Sequence, residues 1–137
     1  MPPAPRFSIP CRIYWEDTDA GGVVYYANYL KFLERCRTDW LRALGIDQQR
    51  LRTDRMLQFA VVSVTVDFLR PAVLNDEVIV TAQLERLSGA TIAFAQTIMR
   101  GDEQLIDANT RVACLDSGTL KPRPIPKDLF VEWRNGQ

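Results

Sequence analysis

The hydrophobic pattern of this sequence changes its period from two to about 3.6, and that change constrains the fold more than any other feature. Over residues 7–15, apolar side chains occupy every second position, which predicts a β-strand. Over residues 23–44, they recur every three or four positions, which predicts one amphipathic helix about 33 Å long. Gly45 follows as a typical helix stop, and Ile46 is placed to fold back on the last turn.

The segments after this helix alternate with a period of two, which predicts four long strands. They cover residues 57–68, 77–87, 90–100 and 104–115. Ser88 and Gly89 separate the second from the third as a tight hairpin turn. In the first segment, alternation puts one set of apolar side chains on a common face: Ala60, Val62, Val64, Val66 and Phe68. Pro10 cannot donate a ladder hydrogen bond, so the strand at residues 7–15 is predicted to be an edge strand or bulged there.

The order of these elements predicts an α+β fold. One long central helix must be wrapped by a curved antiparallel sheet of about five strands, which is the hotdog architecture. The 137 residues suit a single domain, with a flexible proline-rich start at 1–5 and a C-terminal strap at 117–137. A sheet edge and part of a sheet face would remain apolar, so a partner subunit is expected.

Composition excludes several classes of function. The 17 basic and 17 acidic residues cancel and are interspersed, unlike the basic patch of a nucleic-acid-binding domain. No apolar run is long enough for a membrane span, and no signal peptide is visible, so a cytoplasmic location is expected. The chain has no histidine, which removes Ser-His-Asp and Cys-His catalysis and histidine-ligated zinc. Three widely spaced cysteines do not suggest a disulfide framework.

The densest chemical signal is a run of carboxylates and glycines just before the predicted helix. Glu16, Asp17 and Asp19 precede Gly21 and Gly22. A helix start offers free backbone N–H groups, and glycines let a ligand approach them closely. A carboxylate and such amides together are the minimum set of groups that acyl transfer needs without histidine. The same residue types also form ordinary helix caps and turns. A calcium loop is discarded, because the position that needs Glu holds Asn28.

Three blocks of sequence resemble the hotdog acyl-CoA thioesterases of the 4-hydroxybenzoyl-CoA thioesterase family, and most closely the bacterial branch associated with the Tol-Pal system. The blocks are YWEDTDAGGVVYYANYLKFLER at 14–35, VDFLRPA at 66–72 and LKPRPIP at 120–126. The resemblance implies a hydrolase that splits an acyl-CoA into a free acid and CoA, with no cofactor beyond the CoA of the substrate. It also implies a homodimer or homotetramer with the site between subunits, and it leaves an acyl carrier protein as a possible partner.

The resemblance assigns roles to individual residues. Asp19 is implied as the catalytic carboxylate, acting as nucleophile or as base for water, with the backbone N–H of Tyr26 polarising the carbonyl oxygen. Asp17 is expected to orient the turn. The implied substrate-binding residues are Gly22, Val23, Tyr25, Ser63 and Thr91. Tyr26 departs from the branch, which usually has histidine there; its hydroxyl is a hydrogen-bond donor, and its alternative role is that of a core aromatic.

Other residues are weaker candidates. Glu34 is predicted to form a surface ion pair with Arg37, and Cys36 to be a buried, inert thiol. The phosphates of CoA need basic partners, for which the candidates are Arg86, Arg100, Lys121 and Arg123.

Two rival functions remain: a catalytically weak scaffold that binds acyl carrier protein or a cell-envelope complex, and a hotdog dehydratase. The second is disfavoured, since those enzymes generally use a histidine.

Overall fold

The computed structural model describes residues 6–131, so the expected flexible start at 1–5 and the end of the strap at 132–137 lie outside the described residues. The helices are α1 (Asn28–Ala43) and α2 (Gln48–Arg55). The strands are β1 (Phe7–Arg12), β2 (Leu57–Phe68), β3 (Glu77–Ser88), β4 (Thr91–Arg100) and β5 (Glu103–Asp116). They form one sheet of order β1-β3-β4-β5-β2, antiparallel throughout. This is the predicted α+β arrangement, with Pro10 on an edge strand as expected.

Helix α1 packs on the inner face of the sheet and supplies the centre of the core. Its buried side chains are Tyr29, Phe32, Leu33, Cys36, Arg37, Trp40 and Leu41. Trp40 meets the ring of Phe94 edge-on at 5.5 Å and stacks on Phe130 at 6.0 Å. Through Phe130 and Ile125, both buried, the segment after β5 closes this end of the core. Neither described helix is long and apolar enough to cross a bilayer.

The predicted start of α1 at residue 23 is wrong, because the helix begins at Asn28. Val23 forms a bridge with Val73, and Val24 forms one with Thr18. These extended pairings use the backbone that a helix over 23–27 would need. The predicted end is confirmed: the N–H of Gly45 donates to the carbonyl of Arg42, and that of Ile46 donates to Leu41. These two bonds form a Schellman motif.

Helix α2 was not predicted from the sequence. Asp47 caps it by accepting hydrogen bonds from the N–H groups of Gln49 and Arg50. Only Leu51 among its eight residues is buried, so it has no apolar stripe that periodicity could reveal.

A β-bulge changes the predicted faces of β2. Val61 pairs with Val112 and Ser63 pairs with Arg111, which leaves Val62 as the extra residue. Before the bulge, the inner face is formed by Phe59 and Val61, so Ala60 and Val62 do not share a face with Val64, Val66 and Phe68 as alternation predicted. After the bulge, Val64, Val66 and Phe68 lie together on the inner face.

As an edge strand, β2 leaves much of its apolar surface open. Val61 is 50% exposed, Val64 is 41% exposed and Phe68 is 51% exposed, although all three lie on the inner face. An unpaired, apolar edge strand is a surface that soluble proteins normally cover. The structure therefore leaves open the apolar edge for which a partner subunit was expected.

Gly45→Ala tests the end of α1. Gly45 has φ +82°, where a Cβ is strained, so the substitution should lower the free energy of unfolding by about 1 kcal/mol. Gly45→Asn should cost less, because asparagine tolerates this conformation better. Urea unfolding of both variants measures the difference. If both variants lose the same free energy of unfolding, the left-handed backbone conformation of Gly45 is not the cause of the loss.

Candidate active site

Asp19 lies at the tip of a tight hairpin that runs from Thr18 to Val24. Its N–H donates to the carbonyl of Val23 at 2.8 Å, and its carbonyl accepts from the N–H of Gly22 at 3.0 Å. Its side-chain Oδ1 accepts from the N–H of Gly21 at 2.8 Å. The carboxylate is exposed, and its Oδ2 has no hydrogen-bond partner within residues 6–131. One oxygen is thus held in place while the other remains available for chemistry.

The two glycines that follow have different roles in this turn. Gly22 has φ +80°, a conformation that side-chain-bearing residues rarely adopt. A Cβ on Gly21 would lie 3.2 Å from Oδ1 of Asp19, so any larger residue presses on the carboxylate. Gly22 therefore shapes the backbone, and Gly21 leaves room for the acid.

Asp17 is used structurally. Its Oδ2 accepts from the N–H of Tyr14 at 2.8 Å, which closes the short turn before the hairpin. Its carbonyl accepts from the N–H of Tyr25 at 2.9 Å and from Nδ2 of Asn28 at 2.9 Å. These bonds fasten the base of the hairpin to the first residue of α1, in keeping with the orienting role expected for Asp17. Glu16 is exposed.

The start of α1 is open to a ligand. No side chain caps it at Ala27, and the backbone N–H groups of Tyr26 and Ala27 have no acceptor in the described chain. Free N–H groups at a helix start carry partial positive charge and attract a developing negative charge. The Tyr26 side chain is 63% exposed, so the alternative role as a core aromatic is wrong. Its ring contacts Tyr25 at 5.0 Å and meets Phe68 edge-on at 6.2 Å.

The loop between β2 and β3 holds the hairpin in place through hydrogen bonds. The N–H of Val24 donates to the carbonyl of Ala72, and the N–H of Ala72 donates to the hydroxyl of Tyr29 at 3.0 Å. Burial raises the pKa of Tyr29, so the phenol stays neutral. Asp76 accepts from the N–H of Val73 in the same loop. The buried helix thus holds the loop, and the loop holds the hairpin.

Two of the four basic residues predicted to bind CoA phosphates have structural partners. Arg100 bonds to Asp76 at 2.6 Å and to the carbonyl of Pro71, so it braces the same loop. Arg123 pairs with Asp116 and donates to the carbonyl of Met56.

The other two basic candidates remain open to solvent. Arg86 and Lys121 are exposed and form no ion pair within the part of the chain described. They are the basic candidates still available to a phosphate.

Ser63 and Thr91 are not brought to Asp19 within one chain. Phe68, which contacts the hairpin through Tyr26, pairs with Ile106 at one end of β5. Thr91 pairs with Ala113, seven residues and about 23 Å farther along β5. Ser63 pairs with Arg111 and faces outward on β2. The sequence-predicted site residues therefore form two groups: Asp19, Gly22, Val23, Tyr25 and Tyr26 together, and Ser63 with Thr91 apart.

The predicted ion pair between Glu34 and Arg37 is wrong. Arg37 is only 8% exposed and turns inward, where its Nη1 donates to Oε1 of Gln96 at 2.8 Å. Sequence reasoning missed this buried pair, although Arg37 follows Cys36 in the apolar stripe and Gln96 interrupts alternate apolar residues on β4. No group of three or more possible metal ligands occurs within residues 6–131.

The chain is similar in sequence to known thioesterases over most of its length. Residues 13–133 match the thioesterase-like superfamily. The chain is 46% identical over 129 residues to the acyl-CoA thioesterase YbgC of Haemophilus influenzae, covering 94% of this chain and 95% of that protein. It is 30% identical over 130 residues to the 1,4-dihydroxy-2-naphthoyl-CoA hydrolase of Thermosynechococcus vestitus, covering 94% and 89% of the two chains.

Solved structures agree with these sequence matches. A probable thioesterase from Bartonella henselae superposes with a TM-score of 0.85 at 33% identity, covering 89% of this chain and 100% of that one. The fold shared with these thioesterases is the hotdog architecture expected from the order of helix and strands.

Cys36 is expected to be unreactive in the folded protein. It is buried, its Sγ contacts the carbonyl of Val80, and burial raises its pKa to about 12. Burial also raises the pKa of Cys11 and Cys114, and only Cys11 is partly exposed. At pH 8, a thiol reagent should label Cys11 slowly and the other two far more slowly, because the thiolate is the reactive form. Rapid labelling of Cys36, located by mass spectrometry, would contradict its inert role.

Tyr29→Phe should loosen the support of the hairpin. The substitution leaves the buried N–H of Ala72 without its acceptor, which costs about 1–3 kcal/mol of unfolding free energy. Hydrogen exchange at Ala72 and Val24 should rise more than the global loss of stability explains. Unchanged protection of both amides would contradict the described chain of contacts.

Proposed function

Since this chain belongs to the thioesterase-like superfamily, we propose that it is an acyl-CoA thioesterase whose catalytic carboxylate is Asp19. It is a thioester hydrolase, like the YbgC proteins to which it is similar. Splitting the thioester gives a free carboxylic acid and coenzyme A. CoA enters as part of the substrate, and the proposed chemistry needs no other cofactor.

The observation that carries the proposal is the pairing of an exposed carboxylate with a free helix start. Asp19 has one oxygen fixed by Gly21 and one unbonded, and the N–H of Tyr26 has no acceptor in residues 6–131. The thioester carbonyl oxygen accepts from Tyr26 N–H, which stabilises the negative charge that develops as the carbon is attacked. A backbone donor serves this purpose whether the side chain is tyrosine or histidine.

Asp19 has two chemical routes to the same products. As a base, it takes a proton from water, the water oxygen bonds to the carbonyl carbon, and the C–S bond breaks. As a nucleophile, its oxygen forms an anhydride with the acyl group, the thiolate leaves, and water then hydrolyses the anhydride. In both routes the departing sulfur gains a proton and becomes the thiol of CoA.

The proposed site is shared between subunits of a homodimer or homotetramer. Ser63 faces outward on β2, Thr91 pairs with β5 about 23 Å from the Phe68 end, and the apolar β2 edge is open. A second copy on that edge brings its own Ser63 and Thr91 to the hairpin. Arg86 and Lys121 remain the candidates for the phosphates of CoA.

Asp19→Asn tests the catalytic role. The amide keeps an oxygen for the N–H of Gly21 but cannot act as base or nucleophile, so kcat should fall by about 10²–10⁴-fold. The assay follows thiol release from a panel of aliphatic and aromatic acyl-CoAs. Glu16→Gln is the matched control, since Glu16 is an exposed neighbour, and its rate should stay within about twofold of wild type.

The outcomes of this assay separate the alternatives. Activity that survives Asp19→Asn in the folded protein contradicts the assignment of the carboxylate. A wild-type chain inactive on every thioester favours the scaffold that binds acyl carrier protein or a cell-envelope complex. Single turnover in ¹⁸O-labelled water distinguishes the two routes, because only the anhydride route can leave the label in the side chain of Asp19.

A further inference from the structure

Arg37 is a buried cation without a neutralising carboxylate. It is 8% exposed, and its one hydrogen bond within residues 6–131 goes to the neutral oxygen of Gln96. None of the ion pairs within 4.0 Å among the described residues includes it. Buried charges are normally paired, because leaving water costs a charged group several kcal/mol. Burial accordingly lowers the pKa of Arg37.

Thr110 is a buried donor that finds no acceptor among residues 6–131. Its hydroxyl lies on the inner face of β5. Thr110 pairs with Phe94, while Gln96 pairs with Ala108, so the Thr110 and Gln96 side chains are diagonal neighbours on the same face. The Thr110 hydroxyl thus lies near Gln96, the residue that accepts from Arg37.

A cavity of about 60 Å³ opens beside the Arg37 guanidinium. Arg37 lines it, and apolar side chains of the sheet, among them Phe59, Val61 and Phe94, form much of the remaining wall. Glu34 also lines it and its charge raises the pKa of Arg37, but Glu34 is exposed and forms no ion pair with Arg37 within 4.0 Å. Arg37 instead acts in the low-dielectric interior, where an attraction to an anion is stronger.

Exposed apolar side chains lie between this cavity and the start of α1. Leu30 is 41% exposed and lies on the same helix face as Arg37, seven residues away. Val64 and Phe68 are exposed opposite it on β2, and Phe68 contacts Tyr26. From Asn28, the first residue of α1, to Arg37 the helix advances about 14 Å, a distance suited to an extended acyl group.

We propose that this cavity holds the far end of the acyl group, and that Arg37 there binds a carboxylate. The preferred substrates are then mono-CoA thioesters of dicarboxylic acids. A carboxylate supplies acceptor oxygens and a neutralising charge to the guanidinium, which a methyl end does not. This inference rests on the proposed thioesterase function and names its substrate class.

The test compares kcat/KM for CoA thioesters in length-matched pairs, one ending in a methyl group and the other in a carboxylate. Wild type should prefer the carboxylate at the length that reaches the cavity. Arg37→Met should lower the ratio of carboxylate to methyl kcat/KM by about 10- to 100-fold, as expected for a charge-assisted hydrogen bond. Arg35→Met, an exposed arginine on the same helix, is the matched control and should leave the ratio unchanged.

A second variant keeps the arginine in place. Gln96→Glu puts a carboxylate against Arg37 and should reduce the same ratio by occupying the guanidinium from within the protein. The inference is overturned if wild type hydrolyses the methyl-ended and the carboxylate-ended thioesters equally well at every length. It is also overturned if neither variant changes the ratio of carboxylate to methyl kcat/KM. Either result leaves the thioesterase function intact. Failure to hydrolyse any thioester overturns the proposed function, and the inference with it.

Discussion

A single helix is too narrow to cover a five-stranded sheet, and most features of this structure follow from that mismatch. Strands lie about 4.8 Å apart, so five of them span about 19 Å, whereas a helix with its side chains is about 10–12 Å wide. Here α1 lies over β1 and β3, towards one side of the sheet. The inner face of β2 is therefore left open, with Val61, Val64 and Phe68 exposed.

The hairpin that carries Asp19 depends on the same helix in a different way. The hydroxyl of Tyr29 holds Ala72, and Ala72 holds Val24 next to the hairpin tip. Asp17 fastens the other side of the hairpin to the first residue of the helix. The free N–H groups at the helix start and the carboxylate of Asp19 are thus positioned by contacts to one rigid element. Precision of this kind is what stabilising a short-lived oxyanion requires.

Repeating patterns were enough to predict the four long strands after the helix, the hairpin at Ser88 and Gly89, and the end of α1 at Gly45. Each depends on local chemistry, namely alternation, turn residues and a left-handed cap. The start of α1 was missed because Val23 and Val24 pair with residues far along the chain. The bulge at Val62 was missed because a continuous apolar run gives no sign of an extra residue.

The site was partly predictable because only part of it is formed by residues close together in the sequence. Asp19 and its glycines are contiguous in sequence, so a recognisable motif carries them, whereas their support from Tyr29 and Asp76 comes from distant segments. Arg37 looked like a surface partner of Glu34 because helical spacing records which residues are neighbours and not which face is buried. Its inward direction is set by Gln96 on β4, a residue 59 positions away.

The open side of the sheet links these observations to substrate choice. The exposed apolar side chains between the helix start and the buried Arg37 offer a substrate two different environments. Near Tyr26 and Phe68, any apolar acyl chain is stabilised, because binding removes its surface from water. This part therefore contributes affinity with little discrimination between substrates. The far part, at Arg37, distinguishes substrates by the group they place there, since an unpaired buried charge is costly. A second subunit that covers β2 would remove water from both parts and strengthen the electrostatic discrimination at the far end.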